Sequence, residues 1–493
     1  MVDVLIIGAG TAGCVLAARL SAEPTRSVLL VEAGQDFADR AAMPPALTTG
    51  DGVGFDWGLS ATVTAGRTGP LARGRVVGGC AQVNGRGAVR AMPRDYDAWA
   101  ARGMPRWSWE QMLPAYRRCE ADRDFPDAPH HGPEGPVPIV RPDRDRLTAP
   151  MAAFLESMLD HGHDYQPDMN APTAVGIGPY PHNQYADGTR ASTALTYLAP
   201  ARGRENLVVR GDTQVDRIVV HHGRAIGVEI GGEFVGAGEV ILAAGAPLSP
   251  VLLLRSGIGP IEDLRAIGIT SQQDLPGVGR NLYDQPGAVI PAIPQPGSVP
   301  SGAPMTEVIG RLDSFPGHVP DQAFYLTLFT GPAPGGTDPM IALMVGDFAP
   351  VSRGTISLAG PATGQRPIID LGFYTAAGDL TRMRDAYRYA WTVATHPSLA
   401  RHIAGFPMLN DQVIGDDQQL DAVLRAMTFS RLALAGGAAM GPGDDPDAVV
   451  DEQCRVHGVE ALRVIDLSIV PVPLRSPTAL DAIAIAEHAA SMI

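Results

Sequence analysis

The stretch Asp3-Val4-Leu5-Ile6-Ile7-Gly8-Ala9-Gly10-Thr11-Ala12-Gly13, with Val28-Leu29-Leu30-Val31-Glu32 some twenty residues on, decides the fold. The unbroken apolar run over residues 3–7 predicts a strand buried on both faces. A helix is expected from the glycine turn to about Ser21, and a second strand over 28–31 ends at Glu32. This is a βαβ unit with G-x-G-x-x-G at the strand-to-helix turn and an acid at the end of the second strand, the arrangement that binds a dinucleotide. Gly8 permits the tight turn, Gly10 lets a pyrophosphate approach the backbone at the helix N-terminus, and Gly13 allows close helix–strand packing. Glu32 is placed to accept from a ribose hydroxyl, and Thr11, Ala12 and Ala33 belong to the same binding set.

Working outward, 493 residues exceed a single domain of about 150 residues, so two closely packed domains are expected. An apolar fraction of 45% in so long a chain supports a large core and argues against disorder. The apolar runs break at Gly, Pro or charge well short of the roughly 20 residues that span a bilayer, so no membrane partner is expected. A net charge of −15 gives no general footing for nucleic acid. All 38 basic residues are Arg, which removes lysine Schiff bases and a P-loop lysine. Cys14, Cys80, Cys119 and Cys454 are scattered without a C-x-x-C, so neither disulfides nor a metal site is expected, and reduced thiols fit a cytoplasmic protein.

Further elements follow from pattern. Helices are expected over 106–119, 146–160, 378–395 and 416–427, with His130 and His131 in an exposed Pro-rich loop. Strands are expected over 206–210, 215–220, 225–230 and 240–244, and antiparallel strands over 285–375. Pro477 to Ile493 reads as a helix with Ser476 as N-cap.

Five blocks then carry a family resemblance: the opening unit, residues 74–84 (GRVVGGCAQVN), 241–260 (ILAAGAPLSPVLLLRSGIGP), 275–286 (LPGVGRNLYDQP) and 449–471 (VVDEQCRVHGVEALRVIDLSIVP). In this order they resemble the glucose–methanol–choline (GMC) oxidoreductases, FAD-dependent alcohol oxidases and dehydrogenases. The resemblance implies an α/β fold: a Rossmann-type FAD-binding domain interleaved with an α+β substrate domain built on an antiparallel sheet. The FAD-binding domain would take residues 1–150, with flavin-covering loops, 201–285 and 426–493, the last with active-site loops. The substrate domain would take 151–200 and 286–425. By position, Gly78, Gly79 and Asn84 would lie along the flavin and pyrophosphate, Val215 and Ala244-Gly245 near the adenine side, and Asp466 near the ribityl–pyrophosphate. The position that carries a flavin-linking His in some relatives is Val83, so non-covalent FAD is expected.

One departure stands out. The family's chemistry rests on a His that takes the alcohol proton as hydride passes to the flavin, and on a second His or Asn that holds the substrate oxygen. Aligned on Met440-Gly441 the first position is Ala433, and aligned on Ile485-Ala486-Glu487 the second is Ala479. No His lies between His402 and His457, so a shift in register restores no imidazole. His457, assigned to a strand, and His488, in the terminal helix, read as structural or surface residues. Replacement acid–base candidates are Ser430, beside Arg431, and then Arg475, Thr478, Asp481 and, before Arg190, His182 with Tyr185. Asp481 also suits the N-terminal end of a helix, and Arg475 suits a substrate carboxylate, the flavin edge or a neighbouring acid. The small residues Ala435 to Ala439 leave two readings, a widened apolar pocket for a bulky metabolite or a gap filled by neighbours. Two main functions stay open: oxidation of a C–OH or C–H bond without the usual His, and a non-oxidative lyase, isomerase or cyclase that retains FAD. Photochemical decarboxylation and a catalytically silent FAD-bound partner are minor alternatives.

Overall fold

In a computed structural model the described residues are 1–50, 52–313, 324–332 and 338–493. The opening run forms strand β1 (Val2–Ile7), helix α1 (Thr11–Leu20) and strand β2 (Val28–Val31), as the pattern requires. β1 is central in a seven-stranded sheet, parallel to β2 on one side and to the second half of the strand Glu233–Leu242 on the other. That ten-residue strand changes partner along its length. Its first half forms an antiparallel hairpin with Arg224–Ile230, and its second half lies parallel to β1 and to Leu462–Val464. The sheet therefore collects strands from the start, middle and end of the chain, and its central strands are buried on both faces.

A second seven-stranded sheet is antiparallel throughout, in the order Ile403–Gly405, Pro286–Pro294, Pro339–Asp347, Phe324–Pro332, Val308–Leu312 and Gly176–Pro179, with Phe429–Ser430 also on Pro286–Pro294. The expectation of antiparallel strands over 285–375 is met in part: Thr355–Leu358 and Pro367–Asp370 join Leu59–Thr64 and Arg67–Leu71 in a separate four-stranded sheet, Pro367–Asp370 lying parallel to Leu59–Thr64, and 314–323 and 333–337 lie outside the described residues. Strand alternation divides the side chains of the seven-stranded antiparallel sheet. Phe324, Leu326, Leu343 and Val345 pack on the helices Ala149–Asp160, Asp379–Thr395 and Asp417–Met427, through Phe154, Met383, Tyr387 and Leu424. Tyr325 and Ile309 face the other way and gather with Tyr180 and Phe348.

Four further expectations need correction. Val215 precedes its strand, which runs Arg217–His221. The terminal helix spans Ala479–Ala490, with Thr478 and not Ser476 at its N-cap. The Ser476 hydroxyl is drawn instead to the buried Asp481 carboxylate. His130 and His131 are not an exposed pair: His131 is 1% exposed, with Nδ1 on Glu120 (2.8 Å) and Nε2 on Asp168 (3.0 Å). Burial would lower its pKa, but these carboxylates outweigh that and raise it. His457, for its part, sits beyond isolated bridges at Arg455 and Val456 and not in a strand.

The terminal helix closes the fold by packing on α1. Glu487, in its last turns, is 3% exposed and accepts from Arg19 Nη2 (2.6 Å) and Tyr197 Oη (2.6 Å). Glu487→Ala strands the buried Tyr197 hydroxyl and releases the half-exposed Arg19, and is expected to cost roughly 1–3 kcal/mol, read as a lower denaturation midpoint.

Candidate active site

The glycine turn works by contact. Gly8 has φ +98°, and a Cβ there would lie 2.7 Å from the Ala243 carbonyl oxygen. A Cβ at Gly13 would overlap the Gly8 carbonyl, so α1 starts hard against the end of β1. Gly79 lies on Gly10 in turn, where a Cβ would come within 2.7 Å of the Gly10 α-carbon. The helix N-terminus has no side-chain cap and no acid in its first turn, which leaves its N–H groups for an anion.

These N–H groups open onto a cavity lined by residues from the start, middle and end of the chain. Of the residues expected to hold cofactor, Gly8, Gly10, Thr11, Ala12, Glu32, Ala33, Gly79, Val215, Ala244, Gly245 and Asp466 line it. Gly13 and Gly78 lie behind the wall, Gly78 with its N–H on the Ala9 carbonyl (2.7 Å). Asn84 is also off the wall: its side chain accepts from the Arg86 N–H (3.0 Å) and its carbonyl from Arg190 (2.7 Å). Asp466 orders the far side by accepting from the Gly245 N–H (2.8 Å) and Ser249 Oγ (2.6 Å). Trp57, Arg73, Thr213 and Arg255 line the cavity without having been singled out in the sequence, because no local motif marks them. Arg73 and Arg255 each bury an Nε with no hydrogen-bond partner, which suits a polyanionic ligand.

Glu32 accepts from the Ala9 N–H (3.0 Å) and the Gly34 N–H (2.9 Å). Burial pushes its carboxyl up to about 7, against the lowering pull of those N–H groups and Arg75. Each oxygen keeps a lone pair for a ligand hydroxyl. An elongated cavity with an anion-binding helix end, an acceptor at the second strand and unpaired guanidinium nitrogens fits a dinucleotide such as FAD.

The family pattern of the GMC oxidoreductases matches residues 2–287 with its N-terminal part and 350–486 with its C-terminal part. The chain belongs to the GMC oxidoreductase family. An uncharacterised GMC-type oxidoreductase of Rhodococcus erythropolis is 33% identical over 506 residues, covering 100% of this chain and 98% of its own. The 5-(hydroxymethyl)furfural oxidase of Methylovorus sp. (strain MP688) is 34% identical, with 100% and 98% covered. The crystal structure of pyridoxine 4-oxidase from Mesorbium loti superposes with TM-score 0.89 at 30% identity, over 100% of this chain and 99% of that one. This GMC chain is accordingly an FAD-dependent oxidoreductase.

Neither Ala433 nor Ala479, the positions that align with the family's pair, is among the residues that line the cavity. Leu434, next to Ala433, and Ala482, one turn after Ala479, both line it. Their loops are tied through residues 284 and 285. Asp284 accepts from the Ala433 N–H (2.9 Å) and the Ser430 hydroxyl, while Gln285 donates to the Leu474 (3.2 Å) and Ser476 (2.7 Å) carbonyls. Among the described residues no imidazole lines the cavity; His318 is outside them. His457 and His488 are held by the carbonyls of Gly441 (3.1 Å) and Arg106 (2.8 Å).

Most replacement candidates are committed elsewhere. Ser430 serves Asp284. Arg475 pairs with Asp95 (2.6 Å), the neighbouring acid that was one of its three readings. Asp481 accepts from Ser476, Tyr116 and the Ala91 N–H, and burial raises its pKa. His182 is buried beside Tyr180, its pKa pushed down to about 4 by burial and by Arg86. Tyr185 has its ring under Arg40. The Thr478 hydroxyl makes no hydrogen bond among the described residues, although its residue is 3% exposed with φ 61°. None of residues 435–439 is among those that line the cavity. Ala435 ladders with Tyr283, and side chains at Gly436 and Gly437 would collide with Asn281 and Pro250. Neighbouring bulk fills the gap.

The Glu32 shift sets a pH dependence. Its folded pKa of about 7 exceeds the ordinary 4.5, so its contribution to stability is full below 4.5 and is lost as pH rises through 7. Flavin-free wild type should lose on the order of 3 kcal/mol relative to Glu32→Gln between those limits, measured by denaturant unfolding at each pH.

Proposed function

We propose that the chain oxidises a C–OH or C–H bond of a small-molecule metabolite with non-covalently held FAD, by a route that uses no imidazole at positions 433 and 479. The observation that carries this reading is the single cavity joining the dinucleotide end, Gly10 and Glu32, to Leu434 and Ala482 beside the two alanines. FAD, when bound, supplies a two-electron acceptor. Glu32, the α1 N-terminus and Asp466 would hold its ribose, pyrophosphate and ribityl parts. Val83 offers no nucleophile for covalent attachment.

The residues around the alanines then define what substrate is suitable. A positioned base is worth on the order of 10²–10⁴ in rate, and the carboxylates nearby are already saturated with donors. A His182 with a pKa near 4 is a weak base at neutral pH. The Thr478 hydroxyl can orient a substrate oxygen but takes up no proton. The substrate must therefore bring a proton that is acidic already, as in a C–H or O–H activated by an adjacent carbonyl or electron-poor ring. Relatives named for 5-(hydroxymethyl)furfural and pyridoxine, each a hydroxymethyl group on a heteroaromatic ring and so an activated alcohol, support that class.

Anaerobic mixing of the yellow protein with activated alcohols tests the reading. Stoichiometric bleaching of the flavin band is expected, with unactivated aliphatic alcohols slower by at least about a hundredfold. Turnover with the flavin oxidised throughout would instead place the chemistry among lyases and isomerases.

A further inference from the structure

Arg431, half-buried, stands two residues before Ala433 and differs from other buried and half-buried arginines of this chain, Arg311 and Arg73 included, whose guanidinium groups all reach an oxygen. Arg90 pairs with Glu120, Arg141 with Asp122 and Asp168, Arg475 with Asp95, and Arg190 donates to backbone carbonyls. The Arg431 guanidinium reaches no oxygen among the described residues. Its Nη1 meets the Met344 sulfur at 2.6 Å, its Nε is buried without a partner, and its Cζ lies 4.6 Å over the Phe348 ring. No carboxylate among the described residues comes within ion-pair distance of it. Leaving a guanidinium so placed is costly, and sulfur and ring contacts offset only part of that cost.

The fold makes a seat for this side chain. Gly287 and Gly346 face each other in register on adjacent strands. A Cβ at Gly287 would come within 2.9 Å of Arg431 Cγ, and one at Gly346 within 2.9 Å of its Cδ. Two paired glycines thus leave the groove in which the aliphatic stem lies. Phe348, itself stacked on Tyr325 at 3.8 Å, forms the floor under the charge. Tyr180 belongs to the same cluster, feels the Arg431 charge, and has a hydroxyl with no hydrogen-bond partner among the described residues. Among the described residues the Arg431 fork thus meets no oxygen acceptor, its buried Nε meets no acceptor at all, and the Tyr180 phenol is unmatched. Three residues separate Arg431 from the cavity-lining Leu434, at most about 11 Å of chain.

We infer that Arg431, with Tyr180, binds a carboxylate of the substrate and so selects an anionic hydroxy or otherwise activated acid over its neutral analogue. This rests on the oxidative reading only for what happens to the substrate once bound. A guanidinium accepts a carboxylate through two parallel N–H bonds, a geometry the Met344 sulfur cannot satisfy. The role sometimes sought in Arg475 thus falls to Arg431.

Calorimetric titration of the holoenzyme with 4-(hydroxymethyl)benzoate and its methyl ester, within a panel of aromatic and aliphatic hydroxy acids and their esters, tests it. The wild type is expected to bind at least one acid about tenfold or more tighter than its ester. Arg431→Met should abolish the preference and leave ester binding unchanged, while Arg431→Lys retains part of it and Tyr180→Phe lowers it by a few fold. Flavin content and melting temperature of each variant report folding, and the acid-to-ester ratio of the wild type decides even where a variant fails to fold. Equal binding of acid and ester, or no acid bound across the panel, overturns the inference, as does a preference that survives in folded Arg431→Met. Acid preference without bleaching removes the oxidative reading and keeps the anion site. Bleaching by neutral alcohols without acid preference does the reverse.

Discussion

The contact on which the rest depends is that between the Gly8 carbonyl and the α-carbon of Gly13. Because no side chain intervenes, α1 begins where β1 ends and turns its unsatisfied N–H groups into the cavity. Gly79 can then rest on Gly10, which brings the loop before Cys80 to the same wall. Glu32 holds the Ala9 N–H from the neighbouring strand. The terminal helix packs on α1, and that places Ala482 opposite Gly8 and Gly10. One close approach of backbone to backbone therefore fixes elements more than 460 residues apart.

The second sheet shows how one layer serves two purposes. Its helix-packed face carries large apolar side chains at alternate positions, such as Phe324, Leu326 and Leu343. The opposite face carries Tyr325, Met344 and the paired glycines Gly287 and Gly346. Removing two side chains from the middle of a sheet weakens it locally, and the space gained is where the Arg431 stem lies.

Much of this was legible in the chain. The βαβ unit is local and its glycine spacing has a direct steric meaning, so six cavity-lining residues, Gly8, Gly10, Thr11, Ala12, Glu32 and Ala33, follow from it, while Gly79, Val215, Ala244, Gly245 and Asp466 come from the family resemblance. The absence of His from the altered block needed only counting. Other features were hidden because they depend on partners far away in sequence. His131 lies in a stretch that reads as exposed loop, yet it is buried against Glu120 and Asp168. Ser476 has the right chemistry for an N-cap, but Asp481 claims its hydroxyl, and Thr478 takes the position instead. The alanine and glycine run at 435–439 looks like an opened pocket, whereas Tyr283, Asn281 and Pro250 occupy the space. In each case tertiary packing overrides a local signal that was correctly read.

The way the cofactor cavity is assembled has a consequence for biosynthesis. Its walls come from segments within residues 7–12, 31–33, 57–80, 213–215, 243–255, 434, 466–467 and 482. During vectorial synthesis at about 5–20 residues per second, the first wall waits tens of seconds for the last one to leave the ribosome. Until then the edge of Glu233–Leu242 lacks the strand Leu462–Val464, and α1 lacks the terminal helix that packs on it. Loading of the dinucleotide is thus a late event on a nascent chain, and the interval before it is when chaperones have the most exposed surface to shield.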